Sequence, residues 1–272
     1  MIKRYPLIFF FLTANIISWI IWAPLYLPYF NINLLPILPY HHAFGALGPI
    51  LSAFIISGVE KGKSENKKLL KRMFKWKVNP FWYFIALFGP FVLLSIAIII
   101  GYFATGKPIG FEGIGISKEF PQFSILAFLL YNIISFGYGE ETGWRGYALP
   151  KFQRKYNAFS SSILLTIGWA IWHIPLFFYR PGYTSMGFGE IIGWTFSLLT
   201  GSILLTWLYN SSRGSILICA LFHATIDIAF TSDIVNKEIM NYMGALITIW
   251  AILVILITKP KNLSKEERQK LG

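Results

Sequence analysis

The sequence predicts an all-α fold, a polytopic transmembrane bundle of about eight helices with both termini cytoplasmic. Three observations predict it. Hydrophobic residues make up 55% of the 272-residue chain and charged residues only 13%, against about 45–50% and 25% in soluble domains. The apolar residues form long runs separated by short polar ones, as in a chain that spans a bilayer several times. The basic residues sit between those runs, so the net charge of +12 points to loops on one side of a membrane and away from nucleic acid.

Spanning takes about 20 predominantly apolar residues. Such runs fall at 5–30, 41–58, 81–103, 122–141, 159–179, 189–209, 214–231 and 240–258. The first starts Met1-Ile2-Lys3-Arg4 like a signal peptide, but stays apolar to Phe30 with no small-residue cleavage site, so it reads as an uncleaved helix. Pro24 and Pro28 predict that it kinks or ends early. His41 and His42 open the second run and read as interfacial. Before the third, Leu69 to Lys77 interleaves basic and apolar residues, which predicts an amphipathic stretch on the inner surface facing anionic lipid. The seventh run is the shortest and carries His223 and Asp227. The chain therefore reads as one integral membrane domain, 1–272, with a motif-bearing core at 120–235 and a mobile, polar cytoplasmic tail at 259–272. A single cysteine, Cys219, excludes an intramolecular disulfide.

The charge distribution checks this topology independently. With the N-terminus inside, 20 of the 24 Lys and Arg residues fall in inner segments. The outer loops keep Lys107, Lys118, Arg180 and Lys237. A missed or invented helix would scramble that asymmetry downstream.

Ionisable groups inside spanning helices cost about 2.5–3.5 kcal/mol each on insertion and mark functional candidates. Here they are Glu140, Glu141, Arg145, His173, His223 and Asp227. Glu141 and Arg145 are four apart and can pair on one helix face, while Glu140 points about 100° away, as the 3.6-residue turn requires. One carboxylate can then be a fixed counter-ion while the other transfers protons; an interfacial charge cluster is the plainer alternative. His173 precedes Pro175 in an apolar helix, where a neutral imidazole can bind metal, accept a proton or simply pack. His223 and Asp227, also four apart, can aim at one point as metal ligands, as a water-orienting pair or as a bridge between helices. One site drawing on three helices accounts for all six. Cys219 four residues before His223 allows a thiol pair, but there is no Gly-x-Ser-x-Gly elbow and no His-Glu-x-x-His helix.

Glu-Glu-x-x-x-Arg at 140–145, aromatic-x-x-x-His at 169–173 and His-x-x-x-Asp at 223–227 resemble the three motifs of the CAAX protease and bacteriocin-processing family. This is the Abi family of intramembrane peptidases, which includes the Ras-converting CAAX endopeptidases. The resemblance implies an intramembrane endopeptidase with Glu140 as the base that activates water and His173 helping to hold it. His223 and Asp227 would stabilise the oxyanion or act as ligands, and Glu141 and Arg145 would position the helix. Trp169 stands where phenylalanine is usual, and Asp227 where the CAAX branch has asparagine. An ionised aspartate repels an oxyanion, so Asp227 is protonated, a metal ligand or an orienter of His223. Glu140, His173, His223 and Asp227 could hold zinc or another divalent metal, or the site could work without metal. The expected partners are a protein or peptide substrate, lipidated or not, and membrane lipids, with the plasma membrane as location in a prokaryote. Water is expected to enter from the cytoplasmic side near Arg145. A non-catalytic partner, such as a bacteriocin immunity protein, is the alternative; a proton-coupled transporter would call for repeat symmetry, which the sequence lacks.

Overall fold

Backbone polar groups in lipid must be satisfied within the segment, so long apolar runs fold as helices. The computed structural model describes residues 1–33, 35–106, 111–117 and 119–270. Lys107 and Lys118 lie outside the described residues. Among the described residues there is no strand beyond one isolated bridge between Ser117 and Ser232. The helices are α1 (Pro6–Tyr26), α2 (His41–Gly45), α3 (Gly48–Lys61), α4 (Lys63–Met73), α5 (Pro80–Thr105), α6 (Ile125–Asn132), α7 (Gly139–Gly143), α8 (Leu149–Lys155), α9 (Ala158–Trp172), α10 (Phe188–Ser211), α11 (Ile216–Thr231) and α12 (Lys237–Thr258). Asparagine or serine side chains cap the N-termini of α5, α6, α9, α11 and α12, satisfying amide groups that have no partner within the helix.

Among the described residues six segments are long and apolar enough to cross a membrane: Pro6–Phe30, His41–Lys61, Pro80–Thr105, Ala158–Phe178, Phe188–Ser211 and Lys237–Thr258. The other two expected spans are present in altered form. α11 is apolar but shorter. The fourth run continues into one helical rod from 125 to 155, interrupted by two π-helical stretches, Ile133–Tyr138 and Trp144–Ala148, on either side of α7. α1 continues through Pro24 to Tyr26 and tightens into a 3-10 turn, Leu27–Phe30. α4 buries Glu65, Leu69 and Met73 at four-residue spacing and leaves Leu70 exposed, as are Phe74 and Trp76 just beyond its end.

α1 packs on α2 and α3, α11 lies between α5 and the rod, and α10 is flanked by α9 and α12. Close approach uses glycine: a Cβ on Gly143 would come within 2.6 Å of the Pro49 carbonyl oxygen, and one on Gly137 within 2.6 Å of that of Ala220. Hydroxyls tie the helices where apolar packing gains little over lipid. Ser52 donates to the Phe10 carbonyl at 2.8 Å, Thr225 to that of Ala86 at 2.6 Å and Ser162 to the Thr206 hydroxyl at 2.8 Å.

The basic segments expected inside meet at one end of the bundle. Lys75 bonds the Arg213 carbonyl, Lys151 pairs with Glu60, and Arg213 pairs with Glu266. The tail corrects an expectation, because it is docked rather than mobile. Leu263 is fully buried, Asn210 donates to the Asn262 carbonyl, Gln153 to that of Gln269, and Arg268 to that of Gln153. At the other end, Arg180 pairs with Glu119, Lys237 pairs with Glu190, and Ser232 accepts from the Gly115 amide.

Candidate active site

The carboxylates stand on α7, the one α-helical turn between the two π stretches. Such π insertions are frequent at functional sites because they re-aim side chains. Glu141 accepts from Arg145 Nη1 at 2.9 Å, and both side chains are completely enclosed. The same Glu141 Oε1 lies 2.7 Å from His223 Nδ1 on α11. The face of Trp169 covers the Arg145 guanidinium at 4.7 Å. Arg145, Glu141 and His223 thus form a hydrogen-bonded chain that fixes the second imidazole.

Glu140 points elsewhere, as the helical spacing predicts. Its Oε2 accepts from two indole N–H groups, Trp169 at 2.8 Å and Trp144 at 3.2 Å. Its Oε1 faces His223 Nε2 across 4.0 Å, and Asp227 Oδ2 lies 3.6 Å from that same nitrogen. His173 caps the end of α9, where Pro175 turns the chain into a 3-10 segment, Ile174–Phe178. Its Nδ1 lies 2.8 Å from the Trp169 carbonyl. Four rings surround it: Trp172 at 4.9 Å, Trp169 and Trp194 at 5.6 Å, and Tyr183 at 6.4 Å.

All six residues singled out from the sequence therefore belong to one cluster. Glu140, Glu141, Arg145, His223 and Asp227 are linked directly, and His173 joins through Trp169. The expected opening near Arg145 is corrected, since that side chain is wholly buried. Asp227 is the exposed edge, with 34% of its side chain accessible against 5% for Glu140. Cys219 is no partner for His223: its thiol is buried and directed to the Leu205 carbonyl. His41 bonds the Ile21 carbonyl and His42 the Tyr179 hydroxyl, beside a separate cavity of about 250 Å³.

The sequence reading missed Trp144, Trp194 and Tyr183. Burial pushes the Tyr183 phenol up to about 12 against a hydrogen bond from Trp194, and the fields of Asp227 and Glu140 add to the rise. Tyr183 stacks on His173 at 6.4 Å, on a loop that no spacing rule connects to the site. In the sequence Trp169 is legible as an aromatic residue, and its N–H is the signal for a carboxylate partner.

Metal donors of the right type are present, with each imidazole held at Nδ1 and its Nε2 turned away, as in metal sites. Among the described residues no group of three His, Cys, Asp or Glu side chains is gathered as for a bound metal ion.

Residues 122–229 match the family described as type II CAAX prenyl endopeptidase Rce1-like. The chain is also 30% identical to CAAX prenyl protease 2 of Methanococcus maripaludis over 260 residues, covering 89% of this chain and 92% of that protein.

Proposed function

The chain belongs to the Rce1-like CAAX prenyl endopeptidase family, and on that premise we propose that it hydrolyses peptide bonds within the membrane using water activated by Glu140. One observation carries this reading. Two indoles occupy Glu140 Oε2, so Oε1 is the free basic atom, and its 4.0 Å separation from His223 Nε2 suits one bridging water.

In the proposed reaction the water oxygen bonds to the scissile carbonyl carbon while its proton passes to Glu140 Oε1. The carbonyl π electrons move onto oxygen. With His223 Nδ1–H committed to Glu141, an Nε2–H that donates to this oxyanion makes the ring an imidazolium, balanced by Glu141 and Asp227. Asp227 is then the orienter of His223, not a donor to the oxyanion. Collapse breaks the C–N bond, and Glu140 returns the proton to the leaving amine. His173, with Nδ1–H on the Trp169 carbonyl, offers Nε2 as an acceptor for water. No step needs a metal.

The substrate proposed is a protein or peptide presented at the membrane, with a prenylated CAAX C-terminus first in line because of the name of the M. maripaludis relative. The test is cleavage of prenylated and unmodified fluorogenic peptides by the detergent-purified parent and by Glu140→Ala. The expected result is cleavage by the parent, at least a hundredfold loss in the folded variant and no effect of a chelator. Equal cleavage by both proteins sinks Glu140 as the base. Loss with chelator that zinc restores would put a divalent ion in the mechanism. A folded parent that cleaves nothing while Glu140→Ala keeps its biological effect would favour the non-catalytic partner.

A further inference from the structure

Trp169 touches both halves of the charge arrangement. Its N–H donates to Glu140 Oε2 at 2.8 Å, while its ring face covers Arg145 at 4.7 Å. Its ring also lies 5.8 Å from that of His223, and its carbonyl holds His173 Nδ1 at 2.8 Å. It is 6% exposed and sits one turn before the end of α9. Phenylalanine at 169 would keep the ring over the guanidinium and the backbone carbonyl, but could not donate to a carboxylate.

We infer that Trp169 is a positioning residue that selects which oxygen of Glu140 acts as the base, by holding Oε2 and leaving Oε1 directed at His223. Trp144 supplies the second, longer bond from the same helix as Glu140. An indole arriving from α9 does what a same-helix donor cannot, because it ties the carboxylate to the element that carries His173. The two catalytic helices are thereby registered by one hydrogen bond. The inference rests on the peptidase reading above and deepens it.

Trp169→Phe removes the donor and keeps the ring, whereas Trp169→Leu removes both. Loss of a hydrogen bond to a charged group predicts a ten- to hundredfold lower kcat for Trp169→Phe, roughly. KM and the unfolding midpoint should stay at parental values. Trp169→Leu should add a lower unfolding midpoint, because the Arg145 guanidinium loses its cover. Parental kcat in Trp169→Phe overturns the inference while leaving Glu140 as base, provided Glu140→Ala is inactive. Matched losses in stability and in both kinetic constants also overturn it, since they mark a packing role. A readout independent of turnover comes from the indole N–H marker in ultraviolet resonance Raman spectra. The parent minus Glu140→Leu difference should show two hydrogen-bonded indoles, and the same difference in the Trp169→Phe background only the weaker one of Trp144. An unchanged marker overturns the inference even if no substrate is cleaved.

Discussion

Arg145 shows how a full charge is kept in a dry interior. Nη1 bonds Glu141, but among the described residues Nε and Nη2 find no acceptor and the guanidinium relies on the Trp169 face. Removing one partner of a buried pair leaves the other uncompensated, at a cost of about 3–5 kcal/mol. Arg145→Met should therefore lower the unfolding midpoint in detergent sharply. Adding Glu141→Gln to it should recover part of the loss, because the carboxylate that lost its guanidinium is then gone and Asp227 still faces His223. A single variant as stable as the parent would mean that Glu141 does not depend on Arg145. The pairing was legible in the sequence because both residues lie on one helix four apart. The grip of Trp169 on Glu140 was not, since it depends on how α9 is rotated against α7.

At the scale of the element, the rod from 125 to 155 departs furthest from a plain spanning helix. Hydropathy located it, but π stretches leave no periodic trace in an apolar run, so its second half read as an inner loop. Its seat against α3 depends on Gly143, whose missing side chain lets the Pro49 backbone approach. Gly143→Ala would push the two helices apart, and overpacking of this kind costs about 1–3 kcal/mol. The expected result is a lower thermal unfolding midpoint together with reduced turnover, because Glu140 and Glu141 move with α7. Parental stability and rate would show that α3 yields without disturbing the site. The shortness of α11 was visible beforehand, whereas its enclosure by α5 and the rod comes from tertiary packing that one sequence does not reveal.

At the scale of the whole molecule, the two ends of the bundle are chemically distinct. Lys61 to Lys77, Lys151 to Lys155, Arg213 and the docked tail lie at one end, and the loops bearing Arg180 and Lys237 at the other. Basic residues are retained on the cytoplasmic side, so the basic end should face inward. The sole native thiol, Cys219, is fully buried, which makes single introduced cysteines clean reporters. Lys67→Cys should resist a membrane-impermeant reagent in intact cells and react after lysis, while Ser185→Cys should react in both. The reverse pattern would invert the protein. Charge counting anticipates that the basic segments gather at one end, and the labelling tests which side that end faces. The docking of the tail was invisible to it, because a polar, charged segment reads as solvated until its partners, Gln153 and Asn210, are known.

The turn carrying the carboxylates also bears on how the protein is made. Each acidic residue has its companion one turn further along the same rod: Glu140 has Trp144, and Glu141 has Arg145. His223 follows Glu141 by 82 positions, so the rod reaches the insertion machinery well before α11 exists. Companions at four-residue spacing need only the helix itself. The rod can therefore enter lipid with Glu141 already paired and Glu140 already hydrogen-bonded, and α9 and α11 arrive at a site whose charges are half arranged.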